Sequence, residues 1–165
     1  MLKSSSVCQG LILSVVLGAN SVGAAAVTFE AESGSLGADW AVSNTASPAF
    51  IAILSNDAGN NPSNAARVAS YTVTFPSAGT YQLYARIRVG VSNYNDDSLF
   101  LGNGFGFKTP TLSSDWLLAN GLAGVGFTAT NDIVTGSGTA GSQVWKWINL
   151  SQFIGNPGLT ATAGN

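Results

Sequence analysis

The sequence contains no histidine, and only one cysteine and one methionine among its 165 residues. Without an imidazole it lacks the usual general base and the usual nitrogen ligand of metal sites, and a Ser-His-Asp triad is excluded. The single cysteine, Cys8, has no second cysteine with which to form a disulfide within the chain. Packing of the core, alone or with a metal ion, must therefore stabilise the fold.

Charged residues are also scarce, at 8% of the chain. Removal of Lys3 with a leader would leave eight acidic residues against five basic ones, a net charge near −3. Nucleic-acid binding normally requires a clustered basic face, so a nucleic-acid partner is not expected. The five basic residues are instead scattered along the chain: Arg67, Arg86, Arg88, Lys108 and Lys146.

The amino terminus is typical of an export signal. Lys3 is followed by the apolar run GLILSVVLG at 10–18 and by three alanines at 24–26. The run is too short to span a bilayer, which needs about 20 apolar residues. We therefore expect residues 1–26 to be a signal peptide and the protein to be secreted, with no membrane contact after cleavage. An uncleaved membrane anchor is the alternative.

The rest of the chain, 27–165, has the composition of one packed domain: the whole sequence is 45% hydrophobic and contains 20 glycines. Its periodicity is that of strands, with apolar and polar residues alternating in YTVTF at 71–75 and in YQLYARIRV at 81–89. The linking PSAGT favours a turn, which predicts a hairpin. Further predicted strands are AFIAIL at 49–54, DSLFL at 97–101, WLLA at 116–119 and VWKWINL at 144–150.

Many short strands joined by glycine-rich loops predict an all-β fold in which two antiparallel sheets pack face to face. GNGFGF at 102–107 superficially looks like a phosphate-binding loop. No helical pattern follows it, and its spacing matches neither nucleotide-binding fingerprint, so its glycines are expected to serve turns and bulges.

Several of these stretches together resemble the family 6 and family 35 carbohydrate-binding modules. The resemblance runs from Val27 to Leu150 through FEAESGSLG, YTVTFPSAGTYQLYARIRV, DDSLFL and VWKWINL, in that order. It implies a β-sandwich of jelly-roll topology, usually attached to a secreted glycoside hydrolase. Jelly rolls are a recurrent lectin architecture.

The stretch VTFEAESGS at 27–35 places two of the eight acidic residues, Glu30 and Glu32, only two positions apart. On an extended strand they would share one face, about 7 Å apart. The resemblance implies that the pair helps to hold a structural calcium ion, an ion that takes six to eight oxygen ligands. The alternative is a solvated edge strand, on which charge discourages aggregation.

The end of the chain departs from the family pattern. The family's last strand supplies a further acidic calcium ligand, whereas this sequence has no acidic residue after Asp132 and ends in LTATAGN. We therefore expect the domain to lack its last strand and the calcium site to be incomplete. An unpaired sheet edge is an aggregation hazard, which favours a truncated sequence.

Sugar recognition requires an aromatic plane for the C–H face of a pyranose and polar groups for its hydroxyls. The loop SNYNDDS at 92–98 meets this requirement with Tyr94, Asn95 and Asp96, and Trp145 is the second candidate. Acidic loop residues more often accept backbone hydrogen bonds, which is the alternative for Asp96 and Asp97.

The expected function is therefore non-catalytic binding of a polysaccharide, with a covalently linked hydrolase domain as partner. The resemblance implies a plant or algal cell-wall glycan, of the xylan type or another β-linked kind. A small polysaccharide-cleaving enzyme is one alternative, since Glu30 and Glu32 could act as acid and base. A structural or adhesive surface protein is another.

Overall fold

The computed structural model describes residues 11–12, 18–19, 26–44, 49–56, 59–90, 95–124, 133–134, 145–155 and 159–161. Strands dominate, and the α-helix among these residues, α1 at Leu150–Phe153, has only four residues. The predicted all-β class is confirmed. Within the same ranges, no helix has the length and apolar character needed to cross a membrane.

The described residues form thirteen strands: β1 (Leu11–Ile12), β2 (Gly18–Ala19), β3 (Ser35–Leu36), β4 (Trp40–Ser43), β5 (Phe50–Ile53), β6 (Ala69–Ser70), β7 (Gly79–Gln82), β8 (Tyr84–Arg88), β9 (Ser98–Gly102), β10 (Trp116–Asn120), β11 (Ile133–Val134), β12 (Trp145–Asn149) and β13 (Leu159–Ala161). Short 3₁₀ helices lie at Ala31–Ser33, Ala65–Arg67, Ser113–Asp115 and Leu122–Gly124.

The largest sheet has six strands in the order β11-β12-β8-β1-β5-β4. Its pairs are antiparallel except for β11 with β12, which is parallel. Smaller sheets join β13-β7-β2, β10-β9 and β3-β6. These pairings do not establish how the sheets pack, so the two-sheet jelly roll stays a prediction.

Four strand predictions are confirmed with shifts of at most one residue at their ends: β5, β9, β10 and β12. Their burial follows the alternation of the sequence. In β8, Ala85 and Ile87 are fully buried, whereas Arg86 and Arg88 are only half-buried on the other side. Because successive side chains of a strand point to opposite faces, one side of the six-stranded sheet faces the core and the other faces outward.

The core joins the inner side of this sheet to the β9–β10 hairpin. Ile51, Ile87 and Ile148 come from the six-stranded sheet, and Leu99 and Ala119 come from the hairpin. Fully burying an aliphatic side chain of this size contributes about 1.5–3 kcal/mol. The core therefore supplies the stabilisation that disulfides cannot.

The strand predicted over 71–75 is wrong. Tyr71 and Val73 are half-buried and Phe75 is buried, whereas Thr72 and Thr74 are exposed, so the alternation is real. However, among the described residues no strand pairs with this segment, and β6 ends at Ser70. The side chains of this segment pack on the core, although its backbone pairs with no described strand. Periodicity indicates which side chains are buried, and it does not indicate backbone pairing.

The strand predicted over 81–89 is interrupted at Leu83. The Leu83 carbonyl oxygen accepts a hydrogen bond from the Leu150 amide at 2.8 Å, and the Leu83 amide donates to Ser151 Oγ at 3.0 Å. These groups are therefore bound to the start of α1 instead of a neighbouring strand, which separates β7 from β8.

Part of the predicted signal peptide is paired in the largest sheet. Leu11 lies opposite Ile51 of β5 and Ile87 of β8, so β1 occupies the position between these two strands. Residues 1–10, 13–17 and 20–25 lie outside the described residues. The signal peptide stays a prediction.

Candidate functional site

An aromatic and cationic surface lies on the outer side of the six-stranded sheet. It is formed by Phe50 of β5, Arg86 and Arg88 of β8, and Trp145 and Trp147 of β12, and is called the Trp–Arg face below. The strand register aligns these residues, because Trp145 lies opposite Arg88 and Trp147 lies opposite Arg86. Directly opposed residues of an antiparallel pair project to the same side of the sheet.

The Trp145 indole contacts three of these side chains. The guanidinium carbons of Arg86 and Arg88 lie 5.8 Å and 6.0 Å from its ring centroid. The Phe50 ring meets it edge-on at 5.6 Å with an interplanar angle of 62°. Cation–π contacts of this kind contribute about 0.5–1 kcal/mol at exposed sites. The indole is therefore held in one orientation on the sheet surface.

Arg86 brings a polar group that the described residues do not satisfy. Its Nε atom is buried, and within the described ranges no acceptor lies within hydrogen-bond distance. A buried donor without an acceptor costs about 1–3 kcal/mol. A ligand oxygen that accepts this hydrogen bond would remove that cost.

Sequence reasoning reached only part of this face. It selected Trp145, and it noted Arg86 and Arg88 only among the basic residues scattered along the chain. It did not connect the arginines or Phe50 with the tryptophan, because the three strands lie far apart in the chain. The sequence feature that pointed to this face was the mixed polar side of the predicted strand at 81–89. Periodicity alone could not identify which strand pairs with it.

Trp145 and Trp147 lie on the same side of β12, and both are half-buried. Neither tryptophan faces the core, because Lys146 and Ile148 occupy the buried positions of β12. Their two-residue spacing is therefore the spacing of one strand face.

The loop predicted to bind sugar is described only from residue 95 onward, and Tyr94 lies outside the described residues. Asn95 is exposed, whereas Asp96 is only 7% exposed. The Asp96 side chain abuts the backbone of Gly90, where a Cβ would overlap it. Gly90 follows Arg88 by two residues, so Asp96 lies near the end of β8 at which Trp145 begins β12. The sugar-binding roles of Tyr94, Asn95 and Asp96 stay predictions.

Asp97 has the structural role given above as the alternative. Its Oδ2 atom accepts a hydrogen bond from the Ala123 amide at 3.2 Å, and its carbonyl oxygen accepts one from Leu122 at 3.0 Å. Burial raises the pKa of the Asp97 carboxyl, although the backbone donors and the nearby Lys146 charge oppose that rise. Asp97 thereby holds the 3₁₀ helix at Leu122–Gly124 against β9.

The strand predicted around the acidic pair is wrong in part. Glu30 is extended, but Ala31–Ser33 is a 3₁₀ helix, and only Ser35–Leu36 forms a strand. The Glu30 carbonyl oxygen accepts hydrogen bonds from the Ser33 amide at 3.1 Å and from Ser33 Oγ at 2.7 Å. Such local serine hydrogen bonds compete with strand ladders. Glu30 and Glu32 therefore do not share one strand face.

The fit of this segment to a calcium ion rests on Glu32. Its Oε2 atom is buried, and no hydrogen-bond donor from the described ranges reaches it. Burial, with a contribution from the Glu32 charge, raises the pKa of nearby Tyr71 to about 12. An orphaned carboxylate oxygen suits a calcium ion, which binds oxygen ligands. In the same ranges, no cluster of three or more His, Cys, Asp or Glu side chains is placed to hold a metal. The roles of Glu30 and Glu32 as ligands stay predictions.

Comparison of the chain with models of known protein families, with curated proteins and with solved structures finds no match. The resemblance to family 6 and family 35 carbohydrate-binding modules accordingly rests on the quoted motifs.

Proposed function

We propose that this protein is a secreted, non-catalytic module that binds polysaccharide through the Trp–Arg face. The observation that carries the proposal is the Trp145 indole, oriented on the sheet surface by Arg86, Arg88 and Phe50. In the proposed architecture the six-stranded sheet is one layer of a two-sheet jelly roll.

The chemistry of the face suits a pyranose. The C–H face of the sugar packs on the Trp145 ring, and the hydroxyl groups on its rim accept hydrogen bonds from the guanidinium groups. The Arg86 Nε donor, which lacks a partner among the described residues, gains one in this complex. A second indole, Trp147, lies two residues along the same strand face and extends the surface for a neighbouring sugar unit.

The resemblance supports the choice of substrate and of partner. It points to a plant or algal cell-wall glycan, of the xylan type or another β-linked kind, and to a covalently linked glycoside hydrolase. Tethering raises the effective concentration of such an enzyme at its substrate without new chemistry. A weak site for each sugar unit is sufficient for this purpose, because the polymer presents many copies.

Affinity electrophoresis tests the proposal. The protein should be retarded in gels that contain xylan, with mannan, pectin and agarose as comparison polymers. Trp145→Ala should reduce the retardation at least severalfold, because it removes the stacking plane. Trp116→Ala is the matched control, since Trp116 is a half-buried tryptophan of β10 outside the Trp–Arg face. It should leave retardation unchanged.

Two results would contradict the proposal. One is retardation in none of the four gels, which would favour an adhesive protein. The other is release of reducing sugars from xylan that Glu30→Gln abolishes, which would favour the small enzyme. Circular dichroism of each variant identifies any loss of binding that comes from unfolding.

A further inference from the structure

A large apolar cavity lies on the other side of the six-stranded sheet from the Trp–Arg face. Its volume is about 970 Å³, and it shares no residue with that face. It is called the inner cavity below. Its wall is mainly aromatic and aliphatic, and it includes Trp40, Tyr71, Phe75, Leu101, Trp116 and Ile154.

The size of the inner cavity is that of a ligand site. Protein interiors pack closely and contain few voids larger than a water molecule. Cavities that bind small molecules measure about 300–1,000 Å³ and are lined mostly by hydrophobic and aromatic side chains. The inner cavity has both properties, whereas a packing defect would be far smaller.

The loop between β9 and β10 forms one wall of the cavity and carries two exposed phenylalanines. Phe105 is 39% exposed and Phe107 is 88% exposed, although both line the cavity. Gly104 and Gly106 flank Phe105 with backbone φ angles of +81° and +86°, which residues other than glycine rarely adopt. The Phe105 ring contacts the Phe75 ring at 5.2 Å. GNGFGF thus presents an aromatic rim to the opening.

Lys108 supplies a positive charge at this rim. Its Nζ atom donates to the Phe105 carbonyl oxygen at 3.0 Å, and within the described ranges it forms no ion pair. The other cation in the wall, Arg67, is engaged by Asp39 at 3.4 Å and by the Asn56 carbonyl oxygen at 2.9 Å. Lys108 is therefore the cation that can meet an anionic ligand group.

We propose that the inner cavity binds a free long-chain fatty acid. The hydrocarbon chain lies among the apolar side chains, and the carboxylate meets the Lys108 ammonium group beside Phe105 and Phe107. This site is separate from the proposed polysaccharide site. Either can therefore be present without the other.

Titration of the full chain with cis-parinaric acid, a fluorescent fatty acid, tests the proposal. Saturable binding is expected, and oleate should displace the probe. Lys108→Gln should weaken oleate about tenfold, the loss that accompanies a missing hydrogen bond to a charged group. It should leave the affinity for oleate methyl ester unchanged, because the ester carries no charge.

A pair of exposed apolar residues supplies the matched control. Phe107→Ala should speed release of the probe, because Phe107 is part of the rim. Leu118→Ala should have no effect, because Leu118 is exposed on β10 but does not line the cavity. Circular dichroism of both variants shows whether they are folded.

Three results would overturn the proposal. The first is the absence of saturable probe binding to the folded protein. The second is an equal loss of affinity for oleate and for its methyl ester in Lys108→Gln, which would remove the role of the ammonium group. The third is displacement of the probe by phosphatidylglycerol vesicles as effective as that by oleate, which would assign the cavity to membrane lipid.

Discussion

Tyr71 packs against the segment at 29–34 and binds its backbone. Its hydroxyl donates to the Ala31 carbonyl oxygen at 2.7 Å, and its ring lies 4.9 Å from the Phe29 ring. The backbone of Gly34 approaches the same ring so closely that a Cβ there would overlap it. This environment favours the protonated tyrosine, because ionisation would replace the hydrogen-bond donor with a buried negative charge beside Glu32.

This placement predicts a stability loss at high pH. Burial first, and Glu32 second, raise the pKa of Tyr71 from 10.0 to about 12. The unfolded chain therefore loses this proton before the folded one does. The contribution is fully present below pH 10 and disappears as the pH rises through about 12. Denaturant melts across this range should show the decline.

Tyr71→Phe is the variant that checks this interpretation. It should lose about 1 kcal/mol of stability at neutral pH with the hydrogen bond. It should also lack the part of the alkaline decline that Tyr71 causes. An ultraviolet titration in which every tyrosine of the folded protein ionises near pH 10 would contradict the prediction.

At the scale of elements, a buried polar contact joins β9 and β12 through the 3₁₀ helix at Leu122–Gly124. Lys146 of β12 is completely buried, and its ammonium group donates to the Leu122 carbonyl oxygen. Asp97, which directly precedes β9 and is only 2% exposed, holds the same helix through the amides of Leu122 and Ala123. The two charges also interact, since Lys146 opposes the rise in the pKa of Asp97.

This arrangement predicts coupling between the two charged residues. Lys146→Met should lower the free energy of unfolding by about 1–3 kcal/mol, because it leaves a buried carbonyl oxygen without its donor. Asp97→Asn should also destabilise the protein. The double variant should lose less than the sum of the single losses, as residues in one network do. Urea unfolding of all four proteins measures the coupling, and additive losses would contradict it.

At the scale of the whole molecule, the two proposed sites lie on opposite sides of one sheet. The outer side carries Trp145 with its arginines, and the inner side faces the core and the cavity. Between Ile51 of β5 and Ile87 of β8 the sheet is completed by Leu11. Removal of a signal peptide over residues 1–26 would remove β1 and leave the edges of β5 and β8 that face it without this partner strand.

Calcium is predicted to act on the stability of the whole molecule. If an ion binds at Glu32, EDTA should lower the melting temperature of the full-length protein, because loss of any ligand of the native state destabilises it. A calcium concentration one hundred times the dissociation constant contributes about 2.7 kcal/mol. Glu32→Gln should melt at the same temperature with and without calcium. An unchanged melt of the unmodified protein in EDTA would contradict a structural ion.

The sequence by itself determined the all-β class and four strands, β5, β9, β10 and β12, because alternating burial is a local property that periodicity records. It also selected Trp145 as a candidate binding residue, a role that stays a prediction. Only the tertiary structure decided that 71–75 has no strand partner, that Leu83 binds the start of α1, and that Ala31–Ser33 turns as a 3₁₀ helix. Backbone pairing and strand register depend on residues distant in the chain. For the same physical reason, the meeting of Trp145 with Arg86 and Phe50 became visible only in the folded protein.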